Sequence, residues 1–324
     1  MAFTPIEQAP ARLNRSELAV PASNTRFLEK AAQSAADVVF LDLEDSVAPD
    51  DKDQARKNAV EAINDLDWGK KTVSVRINGA DTQYMYRDVV ELMENAGDRL
   101  DLLMMPKVDN AKDVYALDML CTQIEWAKGR TKRVGFEHIM ETAQGLRNIY
   151  EIAAASPRNE SLHFGVADFA ASMGMKTTQI GGPNPDYVVL SNPDENGERN
   201  TYWGDMWHQA IVTMVVAARS HGLRPVDGPF GDFSDPDGYR AQALRAKVLG
   251  CEGKWSIHPS QVDLGNELFS PSPDEVEKAK KILEAMEAAQ ADGKGAVALD
   301  GKLIDIASVR QAEVLLETVK RLEA

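Results

Sequence analysis

Eight short runs rich in apolar residues recur along the chain, and a longer stretch of mixed character separates most of them. They are ELAVP, DVVFLDL, TVSVRI, DLLMMP, RVGFEHIM, SLHFGV, LRPVD and CEGKWSI, at 17–21, 37–43, 72–77, 101–106, 133–140, 161–166, 223–227 and 251–257. Several are continuous apolar runs, which is typical of strands covered on both faces in a parallel sheet. Helical patterns lie between them, over 25–34, 51–64, 86–95, 111–128, 144–155, 203–221 and 237–249.

This alternation favours an α/β fold, the (β/α)8 TIM barrel, over a doubly wound sheet, which usually has fewer strands and a glycine-rich first turn. Neither GxGxxG nor GxxxxGK[ST] follows any of the runs, so the nucleotide-binding fingerprints are absent. We expect the barrel to span 1–270 and a C-terminal helical extension, a lid, to span 271–324. Residues 180–201, rich in Gly, Pro, Asn and Asp, are expected to form an active-site loop.

The net charge limits the partners of the chain. Its 324 residues include 36 Lys and Arg against 51 Asp and Glu, a formal charge of −15. A field of this sign repels phosphate backbones and anionic membranes, so neither nucleic acid nor a membrane is an expected partner. The two cysteines, Cys121 and Cys251, have no metal-binding spacing and fit a reducing compartment. With no leader peptide or membrane span in the sequence, we expect a cytoplasmic protein.

Polar side chains stand at the carboxyl ends of the expected strands, where barrel active sites are built. They are, in chain order, Glu44, Asp45, Arg76, Lys107, Glu141, Asp168, Asp227 and His258. We expect them to form a single ring. Its carboxylates, with few histidines, predict a hard divalent cation, Mg²⁺ with Mn²⁺ as the alternative, bound through oxygen. The planar fork of Arg76 suits a carboxylate or a developing enolate oxygen.

Each rim residue also has a simpler interpretation. Glu141 and Asp168 could cap loops, and Glu44 and Asp45 could initiate a helix. Arg76 could form a structural salt bridge. Lys107 could be an ordinary surface residue, and His258 could serve in packing. Rim carboxylates are common in any barrel, so a single one favours the simpler interpretation. Taken together, the four acidic residues and the arginine favour a metal centre.

Several segments resemble the CitE-like lyases of the HpcH/HpaI aldolase/citrate lyase family. They are NRSELAVPASNTRFLEKA, ADVVFLDLEDSVAPDDKDQAR, VRING, MPKV, ETAQG, FGVADFAASMG, DGPFGDFSD and GKWSIHPSQ. The resemblance covers almost the whole chain and implies a Mg²⁺-dependent barrel that cleaves a 3-hydroxyacyl-CoA by a reverse Claisen step. It is strongest to the branch that converts L-malyl-CoA, and β-methylmalyl-CoA, to glyoxylate and acetyl-CoA or propionyl-CoA in pathways such as the serine cycle. Members are homo-oligomers, trimers or hexamers.

The resemblance implies roles for individual residues. The metal carboxylates fall on Glu141 and Asp168, with Glu44 and Asp45 behind them holding metal-bound water, and the substrate arginine falls on Arg76. The positions implied to contact coenzyme A are Ala19, Asn24, Lys30, Arg76, Ala167, Asp168, Ile257 and His258.

The family's catalytic acid/base falls on Asp305, in the segment GKLIDIAS. In relatives this segment belongs to a lid that closes over the barrel of a neighbouring subunit. The assignment rests on the resemblance, because the residue itself fits a helix N-cap equally well. Some relatives carry an aromatic residue at Ala19, an arginine at Asn24 and a glycine at Ala22, and these departures affect the CoA contacts rather than the metal centre.

Other functions remain open at this point. Citramalyl-CoA cleavage and hydrolysis of the malyl thioester use the same kind of site. A metal-dependent aldolase acting on free 2-oxo acids would have a similar barrel and similar carboxylates. A barrel kept as a binding subunit of a larger lyase would have the fold without turnover, although every rim residue that the chemistry requires is present.

Overall fold

Eight parallel strands close into a barrel. The structure, a computed structural model, describes residues 6–177 and 179–323. The barrel strands are β1 (Ser16–Pro21), β2 (Val38–Asp42), β3 (Thr72–Arg76), β4 (Leu102–Met105), β5 (Gly135–Met140), β6 (Asn159–Phe164), β9 (Arg224–Asp227) and β10 (Gly253–Ser256). Their order around the barrel is β1-β10-β9-β6-β5-β4-β3-β2. The predicted TIM barrel is confirmed, and each predicted run overlaps one of its strands.

Helices alternate with the barrel strands along the chain. They are α1 (Thr25–Ala32), α2 (Lys52–Asp65), α3 (Met85–Asn95), α4 (Ala111–Lys128), α5 (Ala143–Arg147), α6 (Ile149–Ala154), α7 (Val166–Ser172), α8 (His208–Ser220), α9 (Pro236–Leu249) and α10 (Val262–Phe269). Helix α4 has the clearest local signals: a capping box between Asn110 and Asp113 at its start and a left-handed Gly129 after its end. The predicted helix over 144–155 is interrupted at Asn148.

The segment predicted as a loop over 180–201 forms most of an antiparallel hairpin instead. Its strands are β7 (Val188–Leu190) and β8 (Thr201–Trp203), with Val189 opposite Tyr202. Thr, Tyr and Trp favour extended backbone, so the predicted helix at 203–221 begins only at His208.

The barrel interior changes in character along its axis. An apolar cluster is formed by one side chain from each of five strands: Phe40, Met104, Ile139, Val226 and Trp255. The rings of Phe40 and Trp255 pack with centroids 4.6 Å apart. A second group of fully buried interior side chains is polar and includes Glu17, Glu137 and His163, where barrels ordinarily carry branched apolar residues.

A second compact unit begins at Glu267, and the barrel unit ends at Asn266. The second unit contains α11 (Pro273–Ala291), β11 (Val297–Leu299), β12 (Lys302–Ile304) and α12 (Ile306–Glu323). The β11–β12 hairpin turns at Asp300 and Gly301, both with positive φ (52° and 73°), as a two-residue turn requires. Within the described part of the chain, no helix has both the length and the apolar character to cross a bilayer.

Candidate active site

Arg76, the last residue of β3, is held by a carboxylate from the adjacent strand. Its Nε and Nη2 donate to the two oxygens of Asp42 at 2.7 and 2.6 Å. The parallel register places Asp42 directly beside Arg76, and Nη1 lies 3.0 Å from Glu44 Oε2. Burial would raise the pKa of Asp42, but the guanidinium outweighs it and lowers that pKa. The plane of Arg76 is therefore fixed, and the predicted structural salt bridge is present, mainly to Asp42.

The loop after β2 turns Glu44 toward this arginine. Lys52 is buried and donates from Nζ to the carbonyl oxygens of Leu43 and Glu44, both at 2.8 Å. Glu44 N donates to Asp42 Oδ1 at 2.9 Å. Helix α2 begins only at Lys52, so Glu44 does not initiate it. The helix-initiation interpretation is wrong for Glu44, whose side chain faces the mouth of the barrel.

Lys107 links the remaining carboxylates of the mouth. Its backbone has a left-handed φ of 50°, and its N–H donates to Glu141 Oε1 at 2.7 Å. Its ammonium group donates to Glu44 Oε1 and lies 3.6 Å from Asp45 Oδ1 and 4.0 Å from Asp168 Oδ1. Burial would lower the pKa of Lys107, but the bond to Glu44 and the nearby carboxylates raise it. The surface-lysine interpretation is wrong.

Glu141 is the most deeply buried of the predicted metal carboxylates. Burial, followed by the negative charges of Glu44 and Asp168, raises the pKa of Glu141 to about 8. Gly165 lies against it: a Cβ at this position would stand 2.3 Å from Glu141 Oε2. The glycine leaves room for the carboxylate at this buried position.

The donor set fits a hard divalent cation. Five carboxylates, those of Asp42, Glu44, Asp45, Glu141 and Asp168, gather around two cationic side chains, Arg76 and Lys107. With all five carboxylates ionised, the negative charges would exceed the positive ones by three, and the offered atoms are all oxygens. This is the chemistry that Mg²⁺ or Mn²⁺ prefers. The family resemblance assigns the ion to Glu141 and Asp168, and this assignment stays a prediction; Asp42 is already paired with Arg76.

Two residues of the expected ring do not join this group. Asp227 is buried and accepts from Lys254 Nζ at 2.6 Å. His258 is exposed, caps the 3₁₀ turn Pro259–Gln261 through Nδ1, and stacks on Phe233 at a centroid distance of 4.7 Å. The group at the mouth therefore contains fewer of the predicted residues than expected. Asp227 forms a local ion pair, and His258 caps a turn.

Most of the positions implied to contact coenzyme A follow the carboxyl ends of strands. Asn24 caps α1, accepting from Phe27 N at 3.3 Å, and Lys30 is exposed in the last turn of that helix. Ile257 and His258 follow β10, the barrel neighbour of β1. Ala19 packs on the apolar cluster, and Ala167 is exposed in the first turn of α7. Asn24, Ala167, Ile257 and His258 lie at the predicted end of the barrel, whereas Ala19 lies within β1 and Lys30 in the last turn of α1. The CoA contacts of all six stay predictions.

Asp305 lies in the second unit, directly before α12. Its Oδ1 accepts from the backbone N–H groups of Ala307 and Ser308 at 3.0 and 3.2 Å. This is the N-cap arrangement that the residue type alone suggests. Its role as acid/base stays a prediction.

A second cluster with metal-ligand residue types lies inside the barrel, and sequence reasoning missed it. Glu17, Glu137 and His163 bring one ligand atom each within 4.8 Å of one another. Trp255 Nε1, which can only donate, lies 2.8 Å from His163 Nδ1. The ring proton is therefore on Nε2, which faces Ser161 Oγ at 2.8 Å and Glu137 Oε1 at 3.3 Å. Both ring nitrogens are engaged, so the mouth is the better cation site.

A parallel barrel with an arginine among carboxylates at its mouth defines the class, a (β/α)8 barrel enzyme. The model of the HpcH/HpaI aldolase/citrate lyase family matches residues 15–259, and the chain belongs to this family. The L-malyl-CoA/beta-methylmalyl-CoA lyase of Cereibacter sphaeroides is 57% identical over 324 residues, which is 100% of both chains.

Two other similar proteins extend the comparison. The malyl-CoA/beta-methylmalyl-CoA/citramalyl-CoA lyase of Chloroflexus aurantiacus is 38% identical over 319 residues, 98% of this chain and 90% of that one. The structure of CitE from Mycobacterium tuberculosis in complex with magnesium, acetoacetate and coenzyme A has a TM-score of 0.71 at 27% identity, covering 95% and 98% of the two chains. The predicted family resemblance is confirmed.

Proposed function

We propose that the protein is a carbon–carbon lyase that reversibly cleaves L-malyl-CoA to acetyl-CoA and glyoxylate, and β-methylmalyl-CoA to propionyl-CoA and glyoxylate. The observation that carries the proposal is the fixed guanidinium of Arg76 within the carboxylate cluster of Glu44, Glu141 and Asp168. The full-length similarity to lyases of this specificity supports the choice of substrate.

Arg76 is suited to stabilise the enolate that forms when the carbon–carbon bond breaks. Of the five N–H groups of a guanidinium, Asp42 takes two and thereby fixes its plane. N–H groups on Nη1 and Nη2 are left to face a substrate oxygen. A preorganised donor of this kind stabilises developing negative charge without reorganising during the reaction.

Glu141 and Asp168 would hold Mg²⁺, with Glu44 and Asp45 orienting its water ligands. When bound, Mg²⁺ supplies Lewis-acid activation of the substrate hydroxyl group. As the carbon–carbon bond breaks, the hydroxyl proton passes to water, the hydroxyl oxygen becomes the aldehyde oxygen of glyoxylate, and the bonding electrons pass into the thioester, whose oxygen Arg76 faces. Asp305, on the C-terminal lid, then protonates the enolate carbon, and in synthesis it removes a proton from the methyl group of acetyl-CoA.

Coenzyme A would lie along the β10–β1 side of the mouth, beside Ala19, Asn24, Ile257 and His258, and extend toward Ala167 after β6. Lys30 supplies the local positive charge that an anionic CoA requires on a chain of net charge −15. We further propose a cytoplasmic homo-oligomer, a trimer or hexamer that exchanges lids between subunits, acting in a glyoxylate-assimilating pathway such as the serine cycle.

The test is incubation of the purified protein with L-malyl-CoA and Mg²⁺, with phenylhydrazine to trap the aldehyde product. We expect glyoxylate phenylhydrazone and acetyl-CoA in equal amounts. Malate with free CoA would identify a thioesterase, and turnover of citramalyl-CoA but not malyl-CoA would identify a different lyase. Cleavage of a free 2-oxo acid aldol, without CoA, would identify an aldolase. Unchanged malyl-CoA would contradict the proposal.

A further inference from the structure

The ammonium group of Lys107 lies where several carboxylates of the mouth converge. It donates to Glu44 and stands 3.6 Å from Asp45 and 4.0 Å from Asp168. The side chain of Asp168 is 40% exposed, and its cationic neighbour is this ammonium group. These carboxylates come from the loop after β2 and from the first turn of α7 after β6, so one ammonium group bridges distant parts of the barrel mouth.

The same carboxylates would serve a divalent cation. Asp168 is a proposed ligand, and Glu44 and Asp45 are the proposed partners of the ion's water molecules. A cation at Glu141 and Asp168 would place two further positive charges beside an ammonium group that these carboxylates already attract. Like charges a few ångströms apart repel strongly in a partly buried site.

The backbone of Lys107 is anchored independently of its side chain. Its backbone N–H donates to the Glu141 carboxylate at 2.7 Å, and its backbone has a left-handed φ of 50°. The side chain, 29% exposed, is a flexible four-carbon stem. The ammonium group can therefore turn toward solvent while Glu141 keeps its backbone hydrogen bond.

We propose that Lys107 competes with the divalent cation for the mouth carboxylates, holding Glu44, Asp45 and Asp168 together until the ion displaces its ammonium group. Lys107 thus sets how tightly the site binds its metal. This inference rests on the metal site of the proposed function. It makes Lys107 a positioning residue rather than one that touches the reacting atoms.

The first experiment measures Mn²⁺ binding by the electron paramagnetic resonance signal of the free ion, without substrate. Removing one nearby positive charge in Lys107→Met should tighten Mn²⁺ binding about tenfold. Lys107→Arg keeps the charge and should stay near the wild type. Lys57→Met, at an exposed position of α2, controls for the loss of one charge from the protein. Circular dichroism confirms that each variant is folded.

A second experiment uses the unaltered protein, so it does not depend on whether Lys107→Met folds. Brief acetylation with acetic anhydride, followed by peptide mass spectrometry, measures the accessibility of each lysine. We expect saturating Mg²⁺ to raise the reactivity of Lys107 severalfold and to leave Lys57 unchanged.

The outcomes separate this inference from the proposed function. Wild-type protein that binds Mn²⁺, with Lys107→Met binding it equally or more weakly, overturns the competition and leaves the metal site standing. Unchanged or lower Lys107 acetylation with saturating Mg²⁺ also overturns it. Wild-type protein that binds no Mn²⁺ overturns both the metal site and the competition.

Discussion

The barrel holds two groups of carboxylates, and they differ in how their charge is balanced. At the mouth, Glu141 and Asp168 belong to a group with more carboxylates than cations, and the side chains of Asp45 and Asp168 are 58% and 40% exposed. Inside the barrel, Glu17 and Glu137 flank a histidine whose ring nitrogens are both engaged, and all three are inaccessible to solvent.

The difference shows that residue type does not identify a metal centre by itself. The interior cluster has the more familiar ligand types, carboxylate and imidazole, but its histidine offers no free lone pair. The mouth has carboxylates and no histidine among them, yet it has unbalanced negative charge and access to solvent. A cation can enter the mouth without breaking the hydrogen bonds of a buried core.

The largest effect is expected from Asp168→Ala. Its side chain is partly exposed, so the fold should persist, while loss of a cation ligand should reduce turnover about a thousandfold or more. Glyoxylate release and Mn²⁺ binding are the measurements, and EDTA should have the same effect on the wild type. Glu17→Gln, which alters the interior cluster without changing its shape, should keep Mn²⁺ binding. Full activity of the wild type in EDTA would refute the metal role.

Asp305→Asn is expected to reduce kcat by about 10²- to 10⁴-fold, the range typical of a lost general acid/base. Mn²⁺ and CoA binding should be unchanged, because Asn retains an N-cap oxygen. Asp300→Asn is the matched control, since Asp300 belongs to the preceding hairpin turn and Asn tolerates its positive φ. A near-normal rate in Asp305→Asn would show that the lid assignment is wrong.

The interior cluster should make stability depend on pH. Burial raises the pKa of Glu17 from 4.5 to about 7, so the folded state holds this proton more tightly than the unfolded one. The free energy of unfolding should therefore fall as pH rises from about 4.5 through 7, by about 3 kcal/mol from this group. Urea unfolding of the wild type and Glu17→Gln across this range measures it. Parallel pH profiles for the two proteins would contradict the assignment.

The smallest effect is expected from Lys30→Met. Lys30 is exposed on α1, where charge interactions with a CoA phosphate are screened by salt, so KM for the CoA ester should rise only about threefold. The rise should shrink at higher ionic strength, and kcat should not change. An unchanged KM at low salt would remove Lys30 from the CoA site.

The barrel and the core of its site follow from the sequence for one physical reason. The eight apolar runs identify strands buried on both faces, and the carboxyl ends of parallel strands meet at one mouth. Glu44, Arg76, Glu141 and Asp168 can therefore be grouped from the sequence, and the structure brings them together.

Other features depend on geometry that one sequence does not contain. Asp42 lies within the apolar run at 37–43, and its ion pair with Arg76 depends on the β2–β3 register. The sequence predicts Lys107 in the rim, but its residue type signals neither its left-handed backbone nor its bond to Glu44. Glu17 and Glu137 sit inside runs that predict strands, and their meeting at His163 depends on which side chains point inward.

Crystals of the protein soaked in Mn²⁺ and measured at the manganese absorption edge test the central claim most directly. We predict one anomalous peak per chain, within coordination distance of Glu141 and Asp168 and close to Arg76. A peak between Glu17 and His163, or no peak in crystals that keep the fold, would contradict the account.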